Sequence, residues 1–374
     1  MKKILAIALV LVMALSAVAC SAKVDAPAAE EAAPAADAAK VVVFWYDESD
    51  VFMGVVRDAM NKEFEALGIT PDNQFAANNQ TTQLDQINTA IAGGADILVV
   101  NQVTSGASDT AEDIIAAAGD IPVVFFNRAI GTDGSDVDVL SNHASVAFIG
   151  TDAPVAGHMQ GKMIGDYVVA NFDAIDLNKD GVISYAMMKG DEANVEAIYR
   201  TQYGLEDANL VIEAAGKPAL VYFDAANTDC YQVDQAGAWS AAAAKEYMDT
   251  NFVSYNEANG NMIELVICNN DGMAEGVIAS LQEKGYNVDG AHVVPVFGVD
   301  ATDNAKSLIA DGAMAGTIQQ DAQGMAAAVS QTVKAVIEGA APVDAIAGLT
   351  DERFSIAPEV ATKLYVAYAP YTGE

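Results

Sequence analysis

The sequence predicts an α/β fold of two similar lobes, each built on a doubly wound parallel sheet. Its 374 residues exceed what one hydrophobic core usually organises, and 52% of them are apolar. Short apolar strands alternate with helical segments, the pattern of parallel sheets covered by helices. Four strands end on Asn or Asp, at the carboxyl edge where such sheets bind ligands. These strand-end residues are Asn101, Asn127, Asn270 and Asp300.

The N-terminal residues have the pattern of an export signal. Two lysines precede an apolar run over residues 4–15, and small residues at 16–19 stand directly before Cys20. We expect a signal peptide over residues 1–19 and lipid attachment at Cys20. Plain cleavage near Ala19 is the alternative, because the residues before Cys20 match a lipoprotein signal only loosely.

The amino-acid composition argues against several classes of partner and function. Residues 20–39 are rich in Ala, Pro and Glu without aromatic residues, which predicts a flexible linker. The chain has 52 acidic and 18 basic residues, and its net charge of −34 argues against nucleic acid or an anionic membrane as partner. Neither GxGxxG nor GxxxxGKS/T occurs, so a Gly-rich nucleotide loop is not indicated. The three histidines lie far apart, without metal-ligand spacing or a catalytic motif.

Strands and helices alternate along the chain from Val41 onward. The predicted strands are 41–46, 74–77, 96–101, 122–126, 146–150, 183–188, 220–223, 265–268, 294–300 and 314–318, followed by a C-terminal strand-like stretch over 364–368. The predicted helices are 52–67, 80–92, 107–118, 156–171, 193–208, 236–249, 273–284, 301–310 and 324–338. Strands separated by helices at this spacing predict parallel pairing through right-handed crossovers.

The Gly- and Asp-rich residues 129–142 break this alternation. We therefore expect the first passage of the chain between the lobes just before them, near Ile121. The predicted N-terminal lobe comprises residues 40–121 and 322–364, and the predicted C-terminal lobe comprises residues 122–321 and 365–374.

Residues 176–184 have the ligand spacing of an EF-hand calcium loop. Side-chain oxygens stand at its first, third, fifth and ninth positions, Gly at the sixth, and a backbone carbonyl would bind from the seventh. In order these are Asp176, Asn178, Asp180, Ser184, Gly181 and Val182. The twelfth position, a bidentate Glu in an EF-hand, is Met187, so another carboxylate would have to complete the shell. The alternative is an Asx-rich turn before a strand.

A calcium loop inside a two-lobed α/β chain, behind an export signal, resembles the galactose/glucose-binding proteins of bacterial ABC sugar importers. These belong to the type I periplasmic binding protein family. The resemblance covers nearly all of the chain from Lys40 onward, and it is carried by residues 51–57, 123–127, 176–181, 269–271 and 295–300. It implies two lobes joined by a three-strand hinge with a ligand cleft between them. It also implies that Glu264 completes the shell of a structural Ca²⁺.

The resemblance further implies a set of sugar contacts. Asp50 matches an acceptor for sugar hydroxyls and Phe52 a ring that stacks on the sugar. Asn101, Asn270 and Asp300 match polar ligands at strand ends. Arg200 matches a cationic donor and Tyr231 a second ring. Three positions depart from the family pattern, with Glu196 in place of Asp, Asn194 in place of His and Gln320 in place of Asn. Sugar binding is still implied, but the preferred hexose is left open.

Local chemistry offers other interpretations of several of these residues. Asp50 is equally suited to cap a helix, and Phe52 would more often belong to a core. Arg200 on a helix is ordinarily solvated, and Asn or Asp at strand ends also form turns.

These observations predict a monomeric, lipid-anchored solute-binding protein in the periplasm or on the outer face of the membrane. It would capture D-galactose or D-glucose and deliver it to the permease of an ABC transporter, without catalysing a reaction. One alternative is a chemosensory or calcium-responsive sugar receptor that contacts a chemoreceptor. Another is an envelope enzyme that uses its carboxylates as acid and base on carbohydrates. Pairing of Cys230 with Cys268 is left open.

Overall fold

The structure, a computed structural model, describes residues 39–373. The expected signal peptide over 1–19, the lipid attachment at Cys20 and the linker up to residue 38 lie outside the described residues. Within the described chain, no helix has both the length and the apolar character needed to span a bilayer.

The described chain alternates between strands and helices, as the sequence predicts. The strands are β1 (Val41–Trp45), β2 (Asp72–Phe75), β3 (Ile97–Val100), β4 (Val123–Phe126), β5 (Val146–Gly150), β6 (Ser184–Lys189), β7 (Val221–Tyr222), β8 (Gln232–Val233), β9 (Leu265–Cys268), β10 (Val296–Asp300), β11 (Gly316–Gln320), β12 (Phe354–Ile356), β13 (Lys363–Val366) and β14 (Tyr368–Tyr371). The helices are α1 (Val51–Ala66), α2 (Gln80–Ala92), α3 (Ser108–Ala118), α4 (Ser135–Asn142), α5 (Ala153–Ile175), α6 (Val195–Ala214), α7 (Ala241–Ser254), α8 (Asp271–Glu283), α9 (Asp303–Ala310), α10 (Ala322–Ile337) and α11 (Pro342–Ala347).

Two mixed sheets, each mostly parallel, form the centres of two lobes. The N-lobe sheet has the order β12-β13-β5-β4-β3-β1-β2, with β12 antiparallel to its neighbour. The C-lobe sheet has the order β14-β11-β10-β9-β6-β7, with β8 also paired to β6 and β14 antiparallel. Their apolar strands are buried, as expected of sheets covered by helices on both faces. The predicted α/β fold with two doubly wound lobes is confirmed.

The chain crosses between the lobes three times. It crosses after β5 at residues 151–152, after β11 at Asp321, and between β13 and β14 at Ala367. The predicted first passage near Ile121 is wrong, because β4 and β5 both pair within the N-lobe sheet. The Gly- and Asp-rich stretch contains the short helix α4, which returns the chain to the same sheet.

Helix α6, which carries two predicted site residues, is held against α5 by an unusually close approach. On α5, Gly157, Gly161 and Gly165 are spaced four residues apart and therefore share one face. A Cβ atom on Gly157 or Gly161 would come within 2.4 Å of the backbone oxygen of Tyr199 or Tyr203, respectively. Only glycine permits this spacing, so these residues set the position of α6 relative to the sheet.

Candidate ligand-binding site

A cavity lies between the two lobes, at the carboxyl edges of both sheets. We call it the binding cavity. It leaves about 400 Å³ free of protein atoms, counting the part open to solvent. Eight predicted site residues line it, namely Asp50, Phe52, Asn194, Glu196, Arg200, Asn270, Asp300 and Gln320. The other lining residues are Tyr46, Met53, Asn127, Arg128 and Trp239.

Three of the lining side chains also cap helices. Asp50 accepts from the Met53 N–H of α1 at 2.8 Å, and Asn270 accepts from the Met273 N–H of α8 at 2.9 Å. Asn194 accepts from the first turn of α6. Capping uses one oxygen of each side chain, so the Asn amide groups keep their N–H donors for other partners. The second oxygen of Asp50 accepts from the Tyr46 hydroxyl at 2.5 Å. Because a carboxylate oxygen can accept more than one hydrogen bond, the cap and ligand interpretations of Asp50 are compatible.

Arg200 is the centre of the polar network in the C-lobe wall. Its Nη1 donates to the Asn269 carbonyl at 2.9 Å, and its Nη2 donates to Glu196 Oε2 at 3.0 Å and to Gln320 Oε1 at 3.1 Å. Asp300 Oδ1 lies 3.9 Å from Nη1. Burial alone would lower the pKa of Arg200, but Tyr368, Glu196 and Asp300 raise it, so the guanidinium stays charged.

Gln320 presents an unused donor to the binding cavity. Arg200 has only N–H donors, so it fixes the amide oxygen of Gln320 on its own side. The Gln320 Nε2 atom is buried and has no hydrogen-bond partner among the described residues. A buried amide without a partner costs about 1 to 3 kcal/mol, which a ligand oxygen would recover.

Asp300 enters the binding cavity from a strained strand end. Its φ angle is 124°, and the next residue, Ala301, has φ of 54°. Such conformations cost about 1 to 3 kcal/mol each and occur preferentially at binding sites. Burial raises the pKa of the Asp300 carboxyl well above its usual range, Arg200 opposes this shift, and Asp271 adds to it.

Asp271 stands directly behind this wall and is fully buried. Its carboxylate accepts from the Thr317 hydroxyl at 2.7 Å and from the Thr302 N–H at 2.8 Å. Burial raises the pKa of Asp271 to about 7, although these two hydrogen bonds oppose the shift.

Each crossing between the lobes contributes a side chain to the Arg200 network. Thr151, at the first crossing, donates to Glu196 Oε1 at 2.7 Å. Gln320 stands directly before the second crossing. Tyr368, directly after the third, accepts from Arg200 at 3.1 Å and donates to Glu196 Oε2 at 2.9 Å. The three crossings, which form the hinge, are therefore joined by buried hydrogen bonds to the C-lobe wall of the binding cavity, the ligand wall.

Three aromatic residues border the binding cavity, Tyr46 and Phe52 from the N-lobe and Trp239 from the C-lobe. Phe52 belongs to α1, and Trp239 belongs to the loop before α7, with φ of 56°. The Trp239 ring packs on Gly190 so closely that a Cβ atom there would lie 2.2 Å from it. The prediction that Tyr231 supplies the second ring is wrong. Its hydroxyl donates to Glu192 outside this cavity, and Lys189 Nζ lies 4.4 Å from its ring centroid.

Asn101 lies behind the binding cavity and does not line it. Its amide donates to the Phe126 carbonyl at 3.1 Å and to Asn127 Oδ1 at 3.3 Å, so it orients the neighbouring strand end. Asn127 was recognised in the sequence as a strand end but not as a site residue. Tyr46 and Arg128 also stand just after apolar strands, so the strand-end pattern could have indicated them as site residues.

The lobes touch each other beside the binding cavity. The Asn78 amide of the N-lobe donates to the Ala236 carbonyl of the C-lobe at 2.9 Å. Arg128 Nη2 lies 3.4 Å from Asp191 Oδ2, and its guanidinium stacks 4.1 Å from the Tyr46 ring centroid. The structure therefore has a closed cleft.

The predicted calcium loop lies at the opposite, amino edge of the C-lobe sheet. Glu264 accepts from the N–H groups of Asn178 and Ser184 at 2.8 and 2.9 Å, and Asn178 Oδ1 accepts from the Met262 N–H at 2.6 Å. Burial raises the pKa of Glu264, and the hydrogen bonds from Ser184 and Asn178 oppose this. Asp176 Oδ1 is buried without a partner among the described residues.

The donor types in this loop fit Ca²⁺, which binds carboxylate, amide, hydroxyl and carbonyl oxygens. The orphaned oxygen of Asp176 is a group that a cation would satisfy. Over residues 39–373, however, no group of three or more His, Cys, Asp or Glu side chains is close enough to hold a metal ion. Calcium binding therefore stays a prediction.

The structure leaves Cys230 and Cys268 as free thiols.

Comparison with known proteins agrees with the fold. The periplasmic binding protein domain model matches residues 41–341. The D-galactose/methyl-galactoside binding periplasmic protein MglB of Haemophilus influenzae is 33% identical over 305 residues, which cover 80% of this chain and 81% of that protein.

Solved structures share the fold at lower identity. A solute-binding protein of an ABC transporter from Clostridium phytofermentans, with bound β-D-glucose, superposes with a TM-score of 0.65 at 21% identity, covering 89% of this chain and 94% of that chain. The Caulobacter myo-inositol binding protein gives a TM-score of 0.61 at 21% identity, covering 88% and 92% of the two chains. With its matched domain, its two sheets and its three crossings, the chain belongs to the periplasmic binding protein family and has the type I fold.

Proposed function

We propose that this protein captures a hexose, D-galactose or D-glucose, in the binding cavity and delivers it to the membrane permease of an ABC importer. The observation that carries the proposal is the closed cavity itself, with polar groups and aromatic rings from both lobes. Sugar hydroxyls both donate and accept hydrogen bonds, and sugar C–H faces pack on aromatic rings. Among the named relatives, MglB is a galactose-binding protein.

The lining supplies both kinds of polar partner that a sugar needs. Asp50 and Asp300 offer carboxylate acceptors, while Arg200, Asn270 and Gln320 offer N–H donors. A ligand that lacked a matching hydroxyl would leave one of these buried groups unpaired, and this rejects analogues strongly. Closure about the three crossings would bring both sets of partners onto the ligand.

We further propose that the exported protein works outside the cytoplasm as a lipid-anchored monomer, attached through Cys20. A chemoreceptor would be a second partner of the closed form. Residues 176–184 and Glu264 would hold a structural Ca²⁺, which would tie the loop to the start of β9 far from the ligand. Catalysis is not part of the proposal.

The direct test is calorimetric titration of the mature protein with D-galactose, D-glucose, ribose, xylose and myo-inositol. Galactose or glucose should bind with a Kd in the micromolar range, about −8 kcal/mol, whereas the pentoses and inositol should bind more weakly. Absence of binding to every sugar would refute the proposal. Binding of a pentose or inositol alone would refute the hexose assignment.

Tryptophan fluorescence provides an independent readout of the same event. The chain has two Trp residues. Trp45 is buried in the N-lobe core with its indole bonded to Asn73 at 2.7 Å, whereas Trp239 borders the binding cavity. A ligand-induced change should therefore vanish in Trp239→Phe and persist in Trp45→Phe. Loss of the change in Trp45→Phe alone would contradict the proposed location of the ligand.

Calcium is tested by thermal unfolding with and without a chelator. Removing Ca²⁺ should lower the Tm while leaving hexose affinity nearly unchanged, because the loop and the binding cavity lie at opposite edges of the C-lobe sheet. Glu264→Gln should abolish the Ca²⁺-dependent part of the Tm. A larger effect on affinity than on Tm would refute a structural role.

A further inference from the structure

We infer that a second cavity beside the binding cavity receives a hydroxylated substituent of the bound sugar, so that the ligands include disaccharides and other hexosides with polar aglycones. We call it the hinge-side cavity. The inference rests on the proposed function and deepens it by naming a wider substrate class. The residues that carry the argument are Asp136, Phe148, Asp152, Tyr199, Lys363 and Tyr365.

The two cavities are neighbours that share two lining side chains. Asn127, from the N-lobe, and Glu196, from the C-lobe, line both of them. Glu196 is drawn toward the hinge, because the Thr151 hydroxyl holds one of its oxygens at 2.7 Å. A substituent on a sugar beside Asn127 and Glu196 would therefore point toward the hinge-side cavity.

Size separates the roles of the two cavities. The binding cavity leaves about 400 Å³ free of protein atoms, and the hinge-side cavity leaves about 1110 Å³, both counting space open to solvent. The hinge-side cavity is the larger of the two, so a substituent on a bound hexose has more room on the hinge side than within the binding cavity.

The lining of the hinge-side cavity has the chemistry that recognises hydroxyl groups next to C–H faces. Asp152 occupies the N-cap position of α5 but makes no side-chain capping hydrogen bond, so its carboxylate is available to accept from a ligand. Lys363 Nζ is fixed 2.6 Å from Asp136 Oδ2, and both side chains are largely buried. The rings of Phe148, Tyr199 and Tyr365 supply apolar surface between these polar groups.

The charges in this cavity limit the substituent to a neutral one. The lining carboxylates are four, Asp133, Asp136, Asp152 and Glu196. Lys363 supplies the one ammonium group among the lining residues, and it is already paired with Asp136. An added phosphate or uronate would therefore face excess negative charge. A second sugar or a polyol, which brings hydroxyl donors to the carboxylates, fits the arrangement.

The test is calorimetric titration of the mature protein with galactose, glucose, methyl β-galactoside, lactose, melibiose and galactose 1-phosphate. At least one disaccharide should bind the wild-type protein within about tenfold of its parent hexose, and galactose 1-phosphate should bind at least about tenfold more weakly than methyl β-galactoside. Ile198→Trp, at a partly exposed lining position, should fill the cavity and raise the disaccharide Kd by about tenfold or more.

Controls separate this inference from the proposed function. Ile198→Trp should leave the Kd of the free hexose unchanged, and Leu210→Trp, at an exposed position farther along α6, should change neither Kd. Ala129→Tyr fills the same cavity from the N-lobe and serves if the first variant folds poorly. Hexose binding without any disaccharide binding, or an equal loss of both in Ile198→Trp, would overturn the hinge-side cavity alone. Absence of hexose binding would overturn the proposed function as well.

Discussion

Replacing Tyr368 by Phe tests whether the third crossing positions the ligand wall. The hydroxyl of Tyr368 is buried, accepts from Arg200 at 3.1 Å and donates to Glu196 at 2.9 Å. The substitution removes this one oxygen and keeps the ring. Tyr368 itself does not line the binding cavity, so any effect on affinity must act through Arg200 and Glu196.

The expected magnitude follows from what remains bonded. A hydrogen bond to a charged group contributes about 1.5 to 3 kcal/mol. After the substitution Glu196 still accepts from Thr151 and Arg200, and Arg200 still donates to Gln320 and Asn269, so no charge is left isolated. We therefore expect a total loss of about 2 kcal/mol, within the range for one such bond and below that for two, because both charged partners keep their other hydrogen bonds.

This loss should appear in both stability and binding. The free energy of unfolding should fall by about 2 kcal/mol, measured by denaturant titration of the ligand-free protein. The Kd for the hexose should rise about five- to tenfold, or roughly 1 to 1.4 kcal/mol, because Glu196 and Arg200 lose a restraint on their orientation. Calorimetric titration measures this change directly.

Tyr371→Phe is the matched control, since Tyr371 lies on the same strand at a distance from the network. It should leave affinity unchanged. If Tyr368→Phe lowers stability but changes Kd less than twofold, the hydroxyl has only a structural role and the positioning argument fails.

Three other substitutions test separate parts of the site. Gly190→Ala should displace the Trp239 ring, raise the Kd about tenfold and alter ligand-induced fluorescence; unchanged values would refute the packing argument. Gly161→Val on α5 should lower the free energy of unfolding by several kcal/mol, because the added atoms would meet the Tyr203 backbone. Denaturant titration measures this change, and an unchanged free energy of unfolding would mean that α6 can move away freely. The raised pKa of Asp271 means that the folded state holds more protons than the unfolded state between about pH 4 and 7, so this carboxyl lowers stability as pH rises through that range. Asp271→Asn should therefore gain stability relative to the wild type from pH 5 to 8, and parallel pH profiles would contradict the assignment.

Sequence periodicity was sufficient to place the strand-end residues of the polar site, whereas the other predicted lining residues came from the family resemblance. Apolar strands are recognisable by their composition, and in parallel sheets their carboxyl ends meet at one edge. This puts Asn270 and Asp300 in the binding cavity without any knowledge of side-chain orientation. The same logic fails for Asn101, which ends a strand but turns its amide back onto the Phe126 carbonyl.

Features that depend on long-range strand pairing or on loop conformation could not be predicted from sequence periodicity. The first crossing was expected near Ile121 because residues 129–142 interrupt the pattern, yet strand pairing with β3 and β13 decides the lobe to which β4 and β5 belong. The second ring comes from the irregular segment before α7. There no periodicity separates Tyr231 from Trp239, and a left-handed φ at Trp239 together with Gly190 places the ring.

Glu196 shows how one extra methylene group links the hinge to ligand choice. The resemblance described above implies a shorter Asp at this position, whereas Glu196 reaches both Thr151 at the first crossing and Tyr368 at the third. Three donors already occupy its two oxygens, which weakens its capacity to accept from a ligand hydroxyl. Glu196→Asp should release Thr151 and Tyr368 and return an acceptor to the binding cavity. Because the loss of these contacts also removes a restraint on the ligand wall, this variant should bind the free hexose more weakly than the wild type and should unfold at a lower temperature. A gain in hexose affinity with unchanged Tm would instead identify Glu196 as a ligand contact that the longer side chain has weakened.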